Sequence, residues 1–375
     1  MNFEPLTQFL DSLIPYGIPG VDMLVMQNHR PLYRHHAGWR DREAQEPIRG
    51  DELYFLYSCS KVATVTAAMQ LLEKGKFLLT DPLYEYMPEW RDVLVRDADG
   101  GAHRAQNPIL IRHLFSMTAG LDYEMDRPAI RRVREETAGA CPTRAIARAL
   151  SEKPLSFEPG AHWQYSLCHD VLAALVEVVS GEKFSDYVTG HIFRPLGMTR
   201  TCYHLQPGME KDLAAQYRYN DEARRAERIA PDNSYEFGPE YDSGGAGVIS
   251  CVDDYIRLAD ALACGGAGAT GERILSGAAI DLLRANQLDE TQTRDFNWVQ
   301  MAGYGYGLGV RTAINRAGGL LCPMGEFGWG GAAGAYFSAD PQNRISIYYA
   351  QHMLNNKEPY VHPRLRNLVY SCLER

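Results

Sequence analysis

Tyr54-Phe55-Leu56-Tyr57-Ser58-Cys59-Ser60-Lys61-Val62-Ala63-Thr64 is the stretch on which the reading of this chain turns. The apolar run Tyr54 to Tyr57 delivers Ser58, and the helical spacing of Val62, Val65, Met69 and Leu72 predicts a helix with one buried face, ending before Gly75. Ser58 then lies at a helix N-terminus. Lys61 follows one helical turn later, within reach of the Ser58 hydroxyl. A serine hydroxyl is a poor nucleophile until a base takes its proton. Lysine can be that base where burial and the positive end of a helix disfavour its charged form. The spacing proves little alone, because it recurs at Ser180 and Lys183. There Gly181 follows the serine at a helix end, which reads as a C-cap.

Outward from this stretch, both ends of the chain predict sheet. Leu6, Phe9, Leu10, Leu13 and Ile14 recur at helical spacing, and Val21 to Met26 then alternates as a strand. Asn28-His29-Arg30 separates that strand from Leu32 to His35, a hairpin pattern. Near the other end, Gly334 to Ala339 and Ile345 to Gln351 are joined by Asp340-Pro341-Gln342-Asn343, a strong turn sequence. Leu365, Leu368, Val369 and Cys372 mark a closing helix. The middle is helical in pattern at Val62 to Lys74, Ile109 to Ser116, Thr143 to Ser151, Asp170 to Ser180 and Phe184 to Ile192. The expected fold is therefore α/β (α+β): an antiparallel sheet domain from 1–57 and 240–375, flanked by terminal helices, with a mainly helical domain inserted over 58–239. A cleft between the two is the expected ligand site.

Composition supports an ordinary globular protein. Of 375 residues, 45% are hydrophobic and 23% charged, near the soluble average. A net charge of -9 disfavours a nucleic acid partner, since phosphate binding needs local excess of Lys and Arg. The beginning of the chain carries no basic and apolar leader pattern, and no stretch is long and apolar enough to span a bilayer, so a cytoplasmic protein without membrane contact is expected. The eight cysteines are scattered with no Cys-x-x-Cys pair, so neither a metal nor a redox motif is signalled, and no cofactor is called for. Cys59 stands out because its place beside Ser58 would make it reactive to oxidants. His35-His36, His162 and His169 form no zinc motif, no Gly-x-Ser-x-Gly elbow accompanies them, and they read as exposed or structurally bonded. The charge-rich Arg218 to Arg228 reads as a solvated hairpin or loop.

Several further segments carry a family resemblance. In order they are Gly17-Ile18-Pro19-Gly20, Gly38-Trp39-Arg40-Asp41, the Ser58 stretch itself, Ile111 to Leu121, Phe157-Glu158-Pro159-Gly160, Tyr165-Ser166, Pro195-Leu196-Gly197-Met198, Gly244-Gly245-Ala246-Gly247 and Trp329-Gly330-Gly331. So ordered, the chain resembles the serine beta-lactamase and penicillin-binding protein family, class C-like, and most closely its esterase branch, the family VIII carboxylesterases. The resemblance implies a beta-lactamase/transpeptidase-like fold with Ser58, Lys61 and Tyr165 as catalytic residues. Tyr165 would face Ser58 and Lys61 as a proton-transfer group; its alternative is a core aromatic. Trp329-Gly330-Gly331-Ala332 resembles the third motif, whose backbone N–H at Ala332 would join that of Ser58 in an oxyanion hole. The same glycines also suit a simple bulge. Tyr123, Leu167, Trp329, Gly330 and Gly331 are the expected substrate-binding residues.

Two departures shape the functional expectation. Leu167 stands where beta-lactamases and penicillin-binding peptidases usually carry an asparagine, and cannot bond an amide side chain of the acyl group. Trp329 replaces the lysine of the usual Lys-Thr-Gly motif, offering an apolar wall and one N–H donor. Both point toward a carboxylesterase acting on small acyl esters through a covalent acyl-enzyme. A beta-lactamase or DD-peptidase, an acyltransferase, and a non-catalytic penicillin-binding-like sensor are the alternatives. The partner expected is a small-molecule ester or amide; natural substrate and oligomeric state are not legible.

Overall fold

The computed structural model describes residues 1–373, and at its centre lies an antiparallel sheet of eight strands. In spatial order these are Tyr304–Tyr306, Arg311–Ala313, Phe327–Gly330, Tyr336–Asp340, Ile345–Ala350, Gly20–Gln27, Arg30–Asp41 and Glu46–Pro47. The two sheet-forming ends thus build one sheet, joined where Met23 pairs with Tyr349 and Val25 with Ile347. The first hairpin turns on Asn28 and His29, with φ of 48° and 67°, the left-handed pair that a two-residue turn needs to match strand twist. At the other hairpin the Asp340 carboxylate accepts from the N–H groups of Gln342 (2.9 Å) and Asn343 (3.2 Å), closing the turn.

Strand Gly20–Gln27 is buried over all but its last residue, because the helices Glu4–Tyr16 and Val252–Ala263 both pack on it. The Val252–Ala263 helix has no counterpart in the sequence reading. The two terminal helices, Glu4–Tyr16 and Glu358–Leu373, pack on one another. One hydrophobic core runs through both ends and the middle, from Leu6 and Val25 to Val65, Leu172 and Leu365.

In the middle segment the expected helices are found as Ser60–Glu73, Ile111–Phe115, Thr143–Leu150, Cys168–Ser180 and Phe184–Val188, the last continuing as a π turn over Thr189–Phe193. Ser60–Glu73 departs from its expected single buried face: every residue from Ser60 to Leu71 is buried, so it is a central helix wrapped on all sides. Small residues on its remaining faces, Ala63, Ala67 and Ala68, make that wrapping possible. Arg218 to Arg228 is a hairpin, as read, with strands Gln216–Asn220 and Arg225–Ile229; Met353–Leu354 pairs in parallel with the first. No helix among the described residues is long and apolar enough to cross a membrane.

Candidate active site

Ser58 sits in a 3-10 turn, Tyr57–Cys59, that leads directly into the Ser60–Glu73 helix. Tyr57 takes a left-handed backbone with φ of 47°, uncommon for an aromatic residue and a feature of sites held by their surroundings. Its phenol is fixed from both sides, accepting from the Gln216 amide and donating to the Asp232 carbonyl (3.1 Å). The following helix is tied to the Gly244–Gly247 loop: Val248 N–H donates to Ser60 Oγ at 2.9 Å, and Thr64 Oγ1 donates to Gly244 O at 2.6 Å.

Lys61 is fully buried, and its Nζ lies 3.3 Å from Ser58 Oγ, 3.2 Å from the Tyr123 hydroxyl and 2.8 Å from the Gly245 carbonyl oxygen. Burial lowers its pKa from 10.5 to about 8, against the opposing charge of Asp170. Asp170 is itself held by Tyr241 Oη–H (2.6 Å), Ser243 Oγ–H (2.7 Å) and Gly245 N–H (3.2 Å), all on Oδ1. Glycine at 245 is required by space: a Cβ there would stand 2.6 Å from Asp170 Oδ2 and 3.3 Å from Lys61 Nζ. The arrangement keeps an amine poised near neutrality beside a hydroxyl, as general-base activation requires.

Two tyrosines bracket this pair. Tyr165 stacks on Tyr123 with ring centroids 5.4 Å apart, and Lys61 Nζ lies 4.7 Å from the Tyr165 centroid and 5.6 Å from that of Tyr123. The Tyr165 oxygen accepts a 3.2 Å hydrogen bond from Trp329 Nε1, and the two rings stack at 5.7 Å. Burial pushes the Tyr165 phenol up, while the Ser58 hydroxyl and the Trp329 N–H favour its charged form. Tyr123, expected only along the substrate wall, is the tyrosine bonded to Lys61; its phenol is raised well above the usual value, chiefly by burial.

Ser58, Tyr123 and Tyr165 open onto a cavity of about 560 Å³, closed on the opposite wall by Trp329, Gly330, Gly331 and Ala332. Ala332 N–H has no protein acceptor among the described residues, while the carbonyls of Gly331 and Ala332 both accept from Asn356 Nδ2, at 3.0 and 2.9 Å. Asn356 thereby fixes both peptides. A Cβ at Gly331 would stand 2.4 Å from Leu56 O, so glycine permits this turn to close on the segment bearing Ser58. Leu167 is different: it is 2% exposed, lies outside the cavity wall and sits at the N-terminal cap of the Cys168–Ser180 helix. The expectation that it meets substrate is corrected, because capping that helix turns its side chain into the core.

The sequence reading missed Asp170, Asn356, and the cavity residues Tyr235, Trp298 and Glu358. A charged residue opening the predicted Asp170 to Ser180 helix was a signal for the first; the others come from loops and from the start of the C-terminal helix, whose approach to Ser58 is purely tertiary. Cys59 is fully buried, its thiol pushed up by burial and directed at Trp329 O (3.6 Å), so the expected reactivity toward oxidants is corrected: burial disfavours the thiolate. His35 pairs with Asp11, His162 with Asp295, and His169 with Phe115 O. Ser180 bonds Val176 O, and Gly181 at φ of 77° ends its helix, so the second Ser-x-x-Lys is the C-cap expected. His29, Asp260 and Cys264 bring donor atoms within 4.8 Å of one another at the first hairpin turn, where His29 Nδ1 and Asp260 Oδ2 bond directly at 2.6 Å.

With this geometry in view, the comparison with known proteins is decisive for kinship. The family model described as Beta-lactamase matches residues 6–370. The chain belongs to the beta-lactamase family. This beta-lactamase-family chain is 31% identical over 350 residues to an uncharacterized protein of Mycobacterium tuberculosis, covering 89% of this chain and 86% of that one. It is 30% identical over 370 residues to esterase EstB of Burkholderia gladioli, covering 90% and 87%. Among solved structures it is similar to EstCE1, a hydrolase with promiscuous acyltransferase activity, with a TM-score of 0.80, 27% identity and 98% of both chains covered. The beta-lactamase-family fold and its kin make the chain a serine hydrolase.

Proposed function

We propose that this protein is a carboxylesterase acting on small acyl esters, with Ser58 as nucleophile, Lys61 as its base and Tyr165 as a proton relay. The observation that carries the reading is the buried Lys61 amine 3.3 Å from Ser58 Oγ, its pKa lowered by burial to about 8. In acylation, neutral Lys61 takes the Ser58 proton as Oγ attacks the ester carbonyl. The N–H groups of Ser58 and Ala332 receive the oxyanion, each such donor commonly worth about 3 kcal/mol in the transition state. The proton passes through Tyr165 to the departing alkoxide, and the alcohol leaves. Water then attacks the acyl-Ser58 carbonyl, giving up its proton to the Lys61–Tyr165 pair, and the acid departs with Ser58 restored.

Ester substrates are favoured over beta-lactams and peptides by the aromatic wall at Trp329, which offers no cation to a substrate carboxylate. Similarity to EstB and EstCE1 supports the same reading. Transfer of the acyl group to an alcohol is the second reading, favoured by the likeness to EstCE1, and differs only in the acceptor that deacylates Ser58. A cytoplasmic location fits the eight free cysteines. The test is labelling with a fluorophosphonate and mapping of the adduct by mass spectrometry, alongside turnover of p-nitrophenyl acetate and butyrate. An adduct on Ser58 with ester turnover is expected, and Ser58→Ala loses both. A folded chain that takes up no adduct would make it a non-catalytic sensor. Rapid cephalosporin opening with poor ester turnover would make it a beta-lactamase.

A further inference from the structure

Among the described residues that line the cavity beside Ser58, Glu358 alone carries a formal charge. It opens the C-terminal helix Glu358–Leu373, and its carboxylate lies against the Gly330–Gly331 wall: a Cβ at Gly330 would come 3.2 Å from Glu358 Oε1. Burial acts to raise its pKa, but the bond to His362 and its charge, then the charge of Arg311 and the Gln300 amide, outweigh it, so the group is held below its ordinary value. His362 Nδ1 lies 3.5 Å from Oε1, and Arg311 is paired with Glu326 at 3.1 Å; neither lines the cavity.

Five aromatic residues, Tyr123, Tyr165, Tyr235, Trp298 and Trp329, line the same cavity. Trp298 and Trp329 have centroids 6.0 Å apart, and Tyr165 stands 5.4 Å from Trp298. Tyr235 meets Tyr123 edge-on at 5.7 Å and also lines the cavity. Faces of Trp and Tyr attract cations, and the half-buried Glu358 carboxylate lining the same cavity adds negative charge. Lys61 already shows such a contact from beneath, over Tyr165. A neutral ester gains nothing from an ionised carboxylate in its pocket, and an anionic one is repelled by it.

We infer that Glu358 and the aromatic wall of Trp298, Trp329 and Tyr235 form a subsite for a positively charged group, so that the preferred substrates are esters bearing an ammonium. The inference rests on the esterase reading and deepens it by assigning a substrate class. Glu358 is a specificity residue here, touching the substrate's charged end while Ser58 acts on its carbonyl.

Acetylthiocholine, its neutral isostere 3,3-dimethylbutyl thioacetate and the anionic S-acetyl-3-mercaptopropionate form a charge series followed by thiol release. In the wild-type protein kcat/KM is expected to favour the cation over the neutral isostere by about tenfold or more, with the anion slower than both. Glu358→Gln is expected to bring the cation and the neutral ester within about threefold. A wild-type series flat across charge, or a preference unchanged by Glu358→Gln, overturns the inference and leaves the esterase reading standing. The wild-type series decides the matter even if the variant fails to fold. Failure of p-nitrophenyl acetate turnover overturns the esterase reading instead. In that event phenyltrimethylammonium, titrated against Trp fluorescence, decides the subsite without turnover: binding weakened about tenfold by Glu358→Gln supports it, and no saturable binding overturns it.

Discussion

Lys61 donates a 2.8 Å hydrogen bond to the carbonyl oxygen of Gly245, and this contact holds the buried amine in line with Ser58. An ammonium has no lone pair for the serine proton, so only the neutral fraction works. With the pKa lowered by burial to about 8, kcat/KM for p-nitrophenyl acetate is expected to rise with pH through a midpoint near that value. Below it the rate falls about tenfold per pH unit, and above it the rate levels off. Lys61→Arg, permanently charged, is expected to lose turnover throughout. A flat profile from about pH 6 to about pH 9 would remove lysine from the mechanism.

Tyr165 and Tyr123 both reach the Ser58–Lys61 pair, yet only Tyr165 receives the Trp329 N–H. Tyr165→Phe is expected to lower kcat by about 10²- to 10⁴-fold, the usual worth of a proton-transfer group. Trp329→Phe keeps the stacked wall and removes the N–H that favours the phenolate. A fall in kcat of about tenfold is expected, matching one hydrogen bond to a charged oxygen of roughly 1.5 kcal/mol. Steady-state kinetics on both variants check the order of these effects; equal losses from Trp329→Phe and Tyr165→Phe would contradict it.

Asn356 holds two successive carbonyls, those of Gly331 and Ala332, with one amide nitrogen. Asn356→Ala is expected to loosen the turn that presents the Ala332 N–H. The loss should fall on kcat by about 10- to 100-fold, with KM little changed, because an oxyanion donor acts in the transition state. A rise in KM with kcat intact would assign Asn356 to substrate binding.

Gly331→Ala places a methyl 2.4 Å from the Leu56 carbonyl. Neither backbone can yield without moving Ser58 away from the opposite wall. A loss of about 1–3 kcal/mol in stability is expected, read from denaturant melts, together with a drop in ester turnover at temperatures where the variant is folded.

Much of this was legible in advance where local chemistry decides geometry. Asn28-His29 and Asp340 to Asn343 announced their turns because their side chains and backbone preferences act over a few residues. The Ser58 stretch announced a helix start for the same reason. The reading failed where packing from distant segments decides. Nothing local to Ser60–Glu73 tells that its polar Thr64 and Thr66 are buried, since Thr64 is satisfied by Gly244, 180 residues away in sequence. Leu167 was assigned by motif position, but the turn of the chain into the Cys168–Ser180 helix carries it inward. Asn356 and Glu358 lie just past a two-residue strand at the far end of the chain, with no pattern to link them to Ser58.

The helix from Ser60 to Glu73, buried through Leu71, sets how activity is lost when the fold fails. The amides of its buried turns are expected to exchange hydrogen only through the largest opening of the molecule. The reactive hydroxyl stands on the turn that enters this helix and keeps its place for as long as the core does, whereas the turn that presents Ala332 hangs on Asn356 and sets the earlier limit on ester turnover.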